Sequence, residues 1–471
     1  MKRLFILGIL FIQLSAAFSQ TYESAIALFA NENYSEAKTA FEALLKKTPN
    51  NAACNLYYGL SCLRTGDLTN AEKYLKIASA KNNAEANIYL GDMFFRQYRF
   101  SEAKDYYDAY LNTIKNDPEL AAVYQLKADK AKLGDSMLQR IENVKIIDSL
   151  VVNKAELLDT YRLHESGQLM WYNNFFNTKG NVNAALYQTE RGNRVLYARD
   201  ADGAGLDLFS RTKLLNGYDD EWNLGSTVNS PYDENFPFLQ NDGLTLYFAS
   251  TGENSLGGYD LFVTRYNLAT NSYLIPENLG MPFNSPDNDY MMAFDEKNGV
   301  GWFASDRNQP VGKAVIYIFL PNDEKKILHN ENLAYLRNRA KITCIAETLN
   351  ANENFSNLRK QIFSENKPNE LADTFLFVIA GELVYRKLTD FKSDIARSTF
   401  QKAQLMERQL NEMKNQLENK RMEYASAPTS KRQQMSAEIL SLEKQVMTIR
   451  KLPAETYLNA RNEEVLFLTK Q

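Results

Sequence analysis

The chain has 471 residues, among them 54 Lys or Arg, 58 Asp or Glu, 2 His and 3 Cys, for a net charge of −4. This mildly acidic balance argues against nucleic acid or an anionic lipid surface as a partner. So few histidines and cysteines exclude a disulfide framework, a Cys/His zinc site and nearly all chemistry that needs a histidine base.

Lys2 and Arg3 precede an apolar run from Leu4 to Ile12, followed by the small residues Ser15, Ala16, Ala17 and Ser19. This is the pattern of a secretory signal peptide over residues 1–19, with cleavage after Ser19. The apolar run is shorter than the ~20 residues a spanning helix needs. With no Cys beside it to accept a lipid, peripheral contact is the form of membrane association left open.

From about Tyr22 to Lys132 the sequence repeats with a period of 32 to 34 residues. Tyr34, Ala37, Phe41 and Leu44 recur as Leu68, Ala71, Leu75 and Ala78, and again as Phe100, Ala103, Tyr107 and Tyr110. Tyr58-Gly59 and Leu90-Gly91 stand at matching places in the preceding helices. The small residues let two antiparallel helices approach closely, and the large ones fill the space between repeats. Cys54 and Cys62 fall in the second repeat, ~12 Å apart along one helix, too far to bridge.

This segment resembles the tetratricopeptide repeat family. The resemblance implies a helical solenoid whose concave face is lined by Ile26, Phe29, Leu56, Leu60, Leu63, Ile88, Asp92, Phe95 and Arg96. Such a groove takes a peptide or helix from a partner, unless the segment Ala121 to Leu133 of the same chain covers it.

Past Asn143 the pattern changes to short alternating, aromatic-rich segments broken by Gly, Asn and Asp, as expected of antiparallel strands. Arg194 to Asp200 matches Leu246 to Thr251 and Gly301 to Asp306. Asp207-Leu208-Phe209 matches Asp260-Leu261-Phe262, and Asn229-Ser230-Pro231-Tyr232-Asp233 matches Asn284-Ser285-Pro286-Asp287-Asn288. Asp242-Gly243 suits a tight hairpin, because Gly accepts positive φ without steric cost.

These units resemble the WD40-like propeller repeat, with Asn241 in place of the family's turn proline. Further strands are expected in Val144 to Val152, Tyr187 to Thr189 and Thr374 to Leu388, and a β-sandwich is the structural alternative. A hydrolase's Gly-x-Ser-x-Gly elbow is missing from the sequence, so no catalytic residue is assigned, and no cofactor and no metal. Asp200, Asp202, Gly203, Gly205 and Asp207 have calcium-loop spacing, but the repeat's turn needs the same residues. Arg199, Arg211 and Arg307 read as solvated strand residues. Tyr259, Trp302 and Trp222 are the possible sugar-stacking platforms of a rival, glycan-binding reading.

After Asn322 the pattern turns helical and polar around Leu333, Leu336, Ala340 and Ile342, and a β-hairpin is expected on either side of Ala380-Gly381. Ala403, Met406, Leu410, Met413 and Leu417 follow heptad spacing, as do Met435, Ile439, Leu442, Val446 and Ile449, with Pro428 between the two sets. The fold class predicted is multidomain α plus β. Its parts are the leader, an α-solenoid over 20–143, a propeller-type β-domain over 144–321, a mixed segment over 322–392, an antiparallel coiled-coil hairpin over 393–452 and a tail over 453–471.

Exported helical repeats followed by WD40-like repeats resemble envelope proteins of the Bacteroidetes, including the component that tethers the type IX secretion machine to peptidoglycan. That component's OmpA-like domain has no counterpart here. The function expected is a non-catalytic envelope scaffold with envelope proteins as partners, and with self-association through the C-terminal helices as a route to a homo-oligomer.

Overall fold

The computed structural model describes residues 21–178, 183–190, 192–200, 203, 205–214, 217–350, 353–363, 377–380, 383–385, 387–449 and 452–469. The expected leader lies outside them. The chain divides into two compact units, residues 1–214 with 218–364, and residues 365–471 with 215–217.

The first unit opens with α1 (Tyr22–Ala30), α2 (Tyr34–Lys47), α3 (Ala52–Arg64), α4 (Leu68–Ala80), α5 (Glu85–Arg96), α6 (Phe100–Leu111) and α7 (Pro118–Leu138). Several starts are fixed by side-chain caps: Asn51, Asp67 and Asp117 accept the backbone N–H groups of Cys54, Asn70 and Leu120. Ala37, Ala71 and Ala103 are fully buried, as are Phe41 and Leu75. The small positions are sterically required. A Cβ on Gly91 would stand 2.4 Å from the Tyr107 ring. Helix α7 packs along α6 as the next member of the stack, with Gly134 against Phe100 and Tyr124 edge-on to Tyr110 at 4.5 Å.

Three antiparallel sheets follow among the described residues. In the first, β2 (Gln168–Trp171), β3 (Ala185–Gln188), β4 (Arg194–Asp200) and β5 (Leu206–Leu214) pair in order; β1 (Lys145–Asn153) belongs elsewhere. The second holds β6 (Glu234–Leu239), β7 (Thr245–Ser250) and β8 (Asp260–Asn267). The third runs β9 (Asp289–Asp295), β10 (Val300–Ser305), β11 (Lys313–Leu320) and then β1, which crosses from the start of the region to pair with its last strand.

The repeated loop motif acts as a staple between successive sheets. Asn229 accepts the Leu208 N–H at 2.8 Å and donates to the Leu208 carbonyl at 3.0 Å; Asn284 does the same to Leu261 at 2.7 and 2.9 Å. Ser230 donates its N–H and hydroxyl to Glu234, and Ser285 donates both to Asp289. Two residues beyond each carboxylate the strand bulges, with Phe236 at φ +54° and Met291 at φ +37°. Asp242 accepts the Leu244 and Thr245 N–H groups in the hairpin turn, with Gly243 at φ +71°.

Arg307, expected as a solvated strand residue, is inside, and so is Trp302, one of the candidate sugar platforms of the rival reading. Trp302 is fully buried between Tyr161 and Phe363, which removes it as a sugar platform. Arg307 is 1% exposed and paired with Asp289 at 2.6 Å. Lone glycines and serines around these positions gave no sign of the depth at which they sit. Helices α8 (Leu333–Lys341) and α9 (Ser356–Phe363) complete the unit.

The second unit contains β12 (Phe377–Ala380), β13 (Leu383–Tyr385), α10 (Asp394–Ser426), α11 (Thr429–Ile449) and α12 (Leu452–Leu468). The two strands pair with each other and form a two-stranded sheet of their own, so the Thr374 to Leu388 segment adds no strand to the three sheets. Helix α11 packs back on α10 along the heptad seam, where Leu410, Leu417 and Val446 are buried beside Met413, Ile439, Leu442 and Ile449. The expected tail is helix α12. Pro453 sits in its first turn, where a missing N–H costs nothing, and the helix packs along α10.

Glu464 on α12 is fully buried. It accepts the Tyr385 hydroxyl at 2.7 Å and the backbone N–H groups of Lys392 and Ser393 at 2.7 and 3.0 Å, tying hairpin, α10 start and α12 together. Glu464→Ala is expected to destabilise this unit by about 2–4 kcal/mol, because three donors, the Tyr385 hydroxyl and Ser393 N–H buried among them, lose a charged acceptor. Circular dichroism during urea unfolding of the full chain measures it. The three tryptophans, Trp171, Trp222 and Trp302, all lie in the first unit, so their fluorescence should not move.

Candidate protein-binding cleft

Asp92, Phe95 and Arg96 lie on one face of α5, since positions three and four apart are neighbours on a helix. Val123, Leu126, Lys127 and Lys130 of α7 stand opposite them, and Leu256, Gly257, Gly258 and Pro286 from the loops of the second and third sheets wall off the space. The cleft so enclosed has a volume of about 580 Å³. Val123 and Leu126 are 53% and 48% exposed, an apolar pair left open on α7.

The charges in the cleft are arranged in pairs. Lys127 Nζ lies 2.7 Å from Asp92 Oδ1, which also accepts the Tyr107 hydroxyl at 2.7 Å. Burial and the Asp92 charge hold the Tyr107 phenol well above its usual range. Lys130 donates to the Gly257 carbonyl at 2.8 Å, and burial lowers its pKa. Arg96 pairs with Asp287 and donates to the Pro286 carbonyl at 3.3 Å. Gly257 has no room for a side chain, as a Cβ would meet the Asp287 carbonyl oxygen at 1.9 Å.

Behind the cleft the helices and sheets share a core. Tyr98, Phe100, Met137, Leu138 and Ile141 pack with Leu256, Met281, Leu336 and Ala340. Arg337 donates to the Tyr98 carbonyl at 3.1 Å and the Glu142 N–H to the Met281 carbonyl at 2.8 Å. Both walls are therefore held by packing as well as by the polar contacts at the surface.

The tetratricopeptide repeat family model matches residues 22–82 and 63–121. The N-terminal helices are tetratricopeptide repeats. No curated protein matches the chain. Of the groove residues expected on the repeats, Asp92, Phe95 and Arg96 line the cleft. Ile26, Phe29, Leu63 and Ile88 are half-buried along the repeat helices. Leu56 and Leu60 are only 3% and 6% exposed and belong to the repeats' own core.

Val123, Leu126, Lys127 and Lys130 fall in the Ala121 to Leu133 segment, which the sequence offered as a cover for the groove and not as one of its walls; Leu256 and Gly257 were not singled out. In the loop with calcium-like spacing, Asp200 accepts the Gly203 N–H at 2.7 Å and Asp207 accepts from Asn223 at 3.0 Å; Asp202 lies outside the described residues. Arg199 pairs with Glu221 at 2.6 Å.

Proposed function

We propose that this protein is an exported scaffold of a Gram-negative cell envelope, and that it holds a partner protein in the cleft between its tetratricopeptide repeats and its sheets. The observation that carries this reading is the exposed pair Val123 and Leu126 inside a cleft whose walls are fixed. The occupant that suits it is a short segment with aliphatic side chains, placed against Val123 and Leu126. The leader pattern and the WD40-like repeats support the envelope as its place of work. The reading assigns the chain no covalent chemistry, cofactor or nucleic acid. The heptad seam of α10 and α11 supports a coiled-coil arm as a second attachment point.

Affinity capture from envelope fractions tests the proposal when wild type is compared with the Val123→Glu, Leu126→Glu double variant. Both positions are exposed, so the fold should tolerate the change. Defined proteins are expected with wild type and should be lost with the variant; equal recovery from both would remove the cleft from the account.

A further inference from the structure

One flank of the α10–α11 pair is a groove of about 620 Å³. Gln409, Glu412 and Gln416 line it from α10, since positions three and four apart share a helix face, and Lys444 and Gln445 line it from α11. Its floor is Met413 and Ile449, which pack on the buried seam of Leu410, Leu417 and Val446. Leu405 and Leu440 stand one turn before Gln409 and Lys444 on the same helix faces, and they are 52% and 61% exposed. This flank therefore offers apolar surface that the hairpin leaves uncovered.

The two sides of the groove carry opposite charge. The Glu412 and Lys444 side chains are exposed and have no ion-pair partner among the described residues. Further along the hairpin, Lys420 of α10 pairs with Glu438 of α11, and this pair sets the two helices level with each other. Eight residues before 420 is Glu412, and eight after 438 is Val446, so Glu412 stands level with Val446 in the antiparallel pair. Lys444 is two residues away, or ~3 Å along the axis.

A groove with opposite charges at one level on its two sides complements itself. Turning a second hairpin about an axis parallel to the helices lays its α10 over the first copy's α11. Glu412 of each copy then meets Lys444 of the other, and both floors are covered. The glutamines at the rim supply donors as well as acceptors for the same contact. We propose that this flank is a dimerisation surface, through which two copies of the chain join their hairpins into a four-helix bundle whose neighbouring helices are all antiparallel. This deepens the reading of the hairpin as an attachment point; the cleft takes no part in it, so either idea can fail alone.

Sedimentation equilibrium of the full chain tests the proposal, with circular dichroism as the check that each variant keeps its helices. Wild type should be a dimer. Glu412→Lys and Lys444→Glu should each raise the dissociation constant about tenfold, because the symmetry puts the like-charge contact into the interface twice. Mixed in equal amounts, the two variants should pair with each other about as tightly as wild type does with itself, since every contact is again between opposite charges. That recovery also shows both variants to be folded. A wild type that stays monomeric, single variants that dimerise as well as wild type, or a mixture that does not recover would each overturn the proposal.

Discussion

Arg307→Met should lower the stability of the first unit by about 3–5 kcal/mol, the usual cost of removing one partner from a buried ion pair. The guanidinium makes five contacts in a site from which water is excluded. It bonds Asp289 at 2.6 Å, the carbonyls of Phe283 and Pro282 at 2.7 Å each, Ser305 Oγ at 2.9 Å and the Ala340 carbonyl at 3.4 Å. Methionine keeps most of the volume and none of these bonds. Asp289, which also anchors Ser285, would be left as a buried charge without a cation. Because Ala340 lies on α8 and Phe283 in the loop before β9, the same substitution loosens the helix from the sheets. Urea unfolding followed by tryptophan fluorescence measures the loss, and a change below about 1 kcal/mol would show the site to be far wetter than the structure has it.

Trp302→Ala should cost a similar amount, about 3–5 kcal/mol, through the cavity left by a large core side chain. The indole is fully buried, with Tyr161 at 5.6 Å on one side and Phe363 at 5.9 Å on the other. Fluorescence of the remaining Trp171 and Trp222 reports the unfolding. The result also separates two readings of the same residue. A sugar platform would lose ligand while keeping its stability; a core residue loses stability first.

The repeats were legible in the sequence because their packing is local. Gly59 and Leu75, or Gly91 and Tyr107, meet within one helix pair, so the small and large positions recur in register. The sheets were legible for a related reason, since the Asn-Ser-Pro loops and Asp-Gly turn act on strands close by in the chain. What stayed hidden joins distant segments. Arg96 meets Asp287 and Arg337 meets Tyr98, across 191 and 239 residues, and no periodicity records such meetings.

Arg307 looked like any exposed arginine because burial of a charge is decided by its partners, here the Asp289 carboxylate and carbonyls supplied by two other segments. The resemblance to the tetratricopeptide repeat family placed Leu56 and Leu60 on the concave face, yet close packing of the repeats leaves them almost no surface. The helix that begins at Leu452 was missed because Pro453 reads as a stop; a proline ends one helix and starts another with equal ease.

The central claim is that the cleft beside Leu126 receives a protein. A photo-crosslinking amino acid placed at position 126 in living cells tests it directly, with position 311 as the control. Val311 is fully exposed at the β10–β11 turn. Position 126 is predicted to give one or a few discrete protein adducts that position 311 does not. Identical adducts from both positions, or adducts to lipid or glycan alone, would contradict the account.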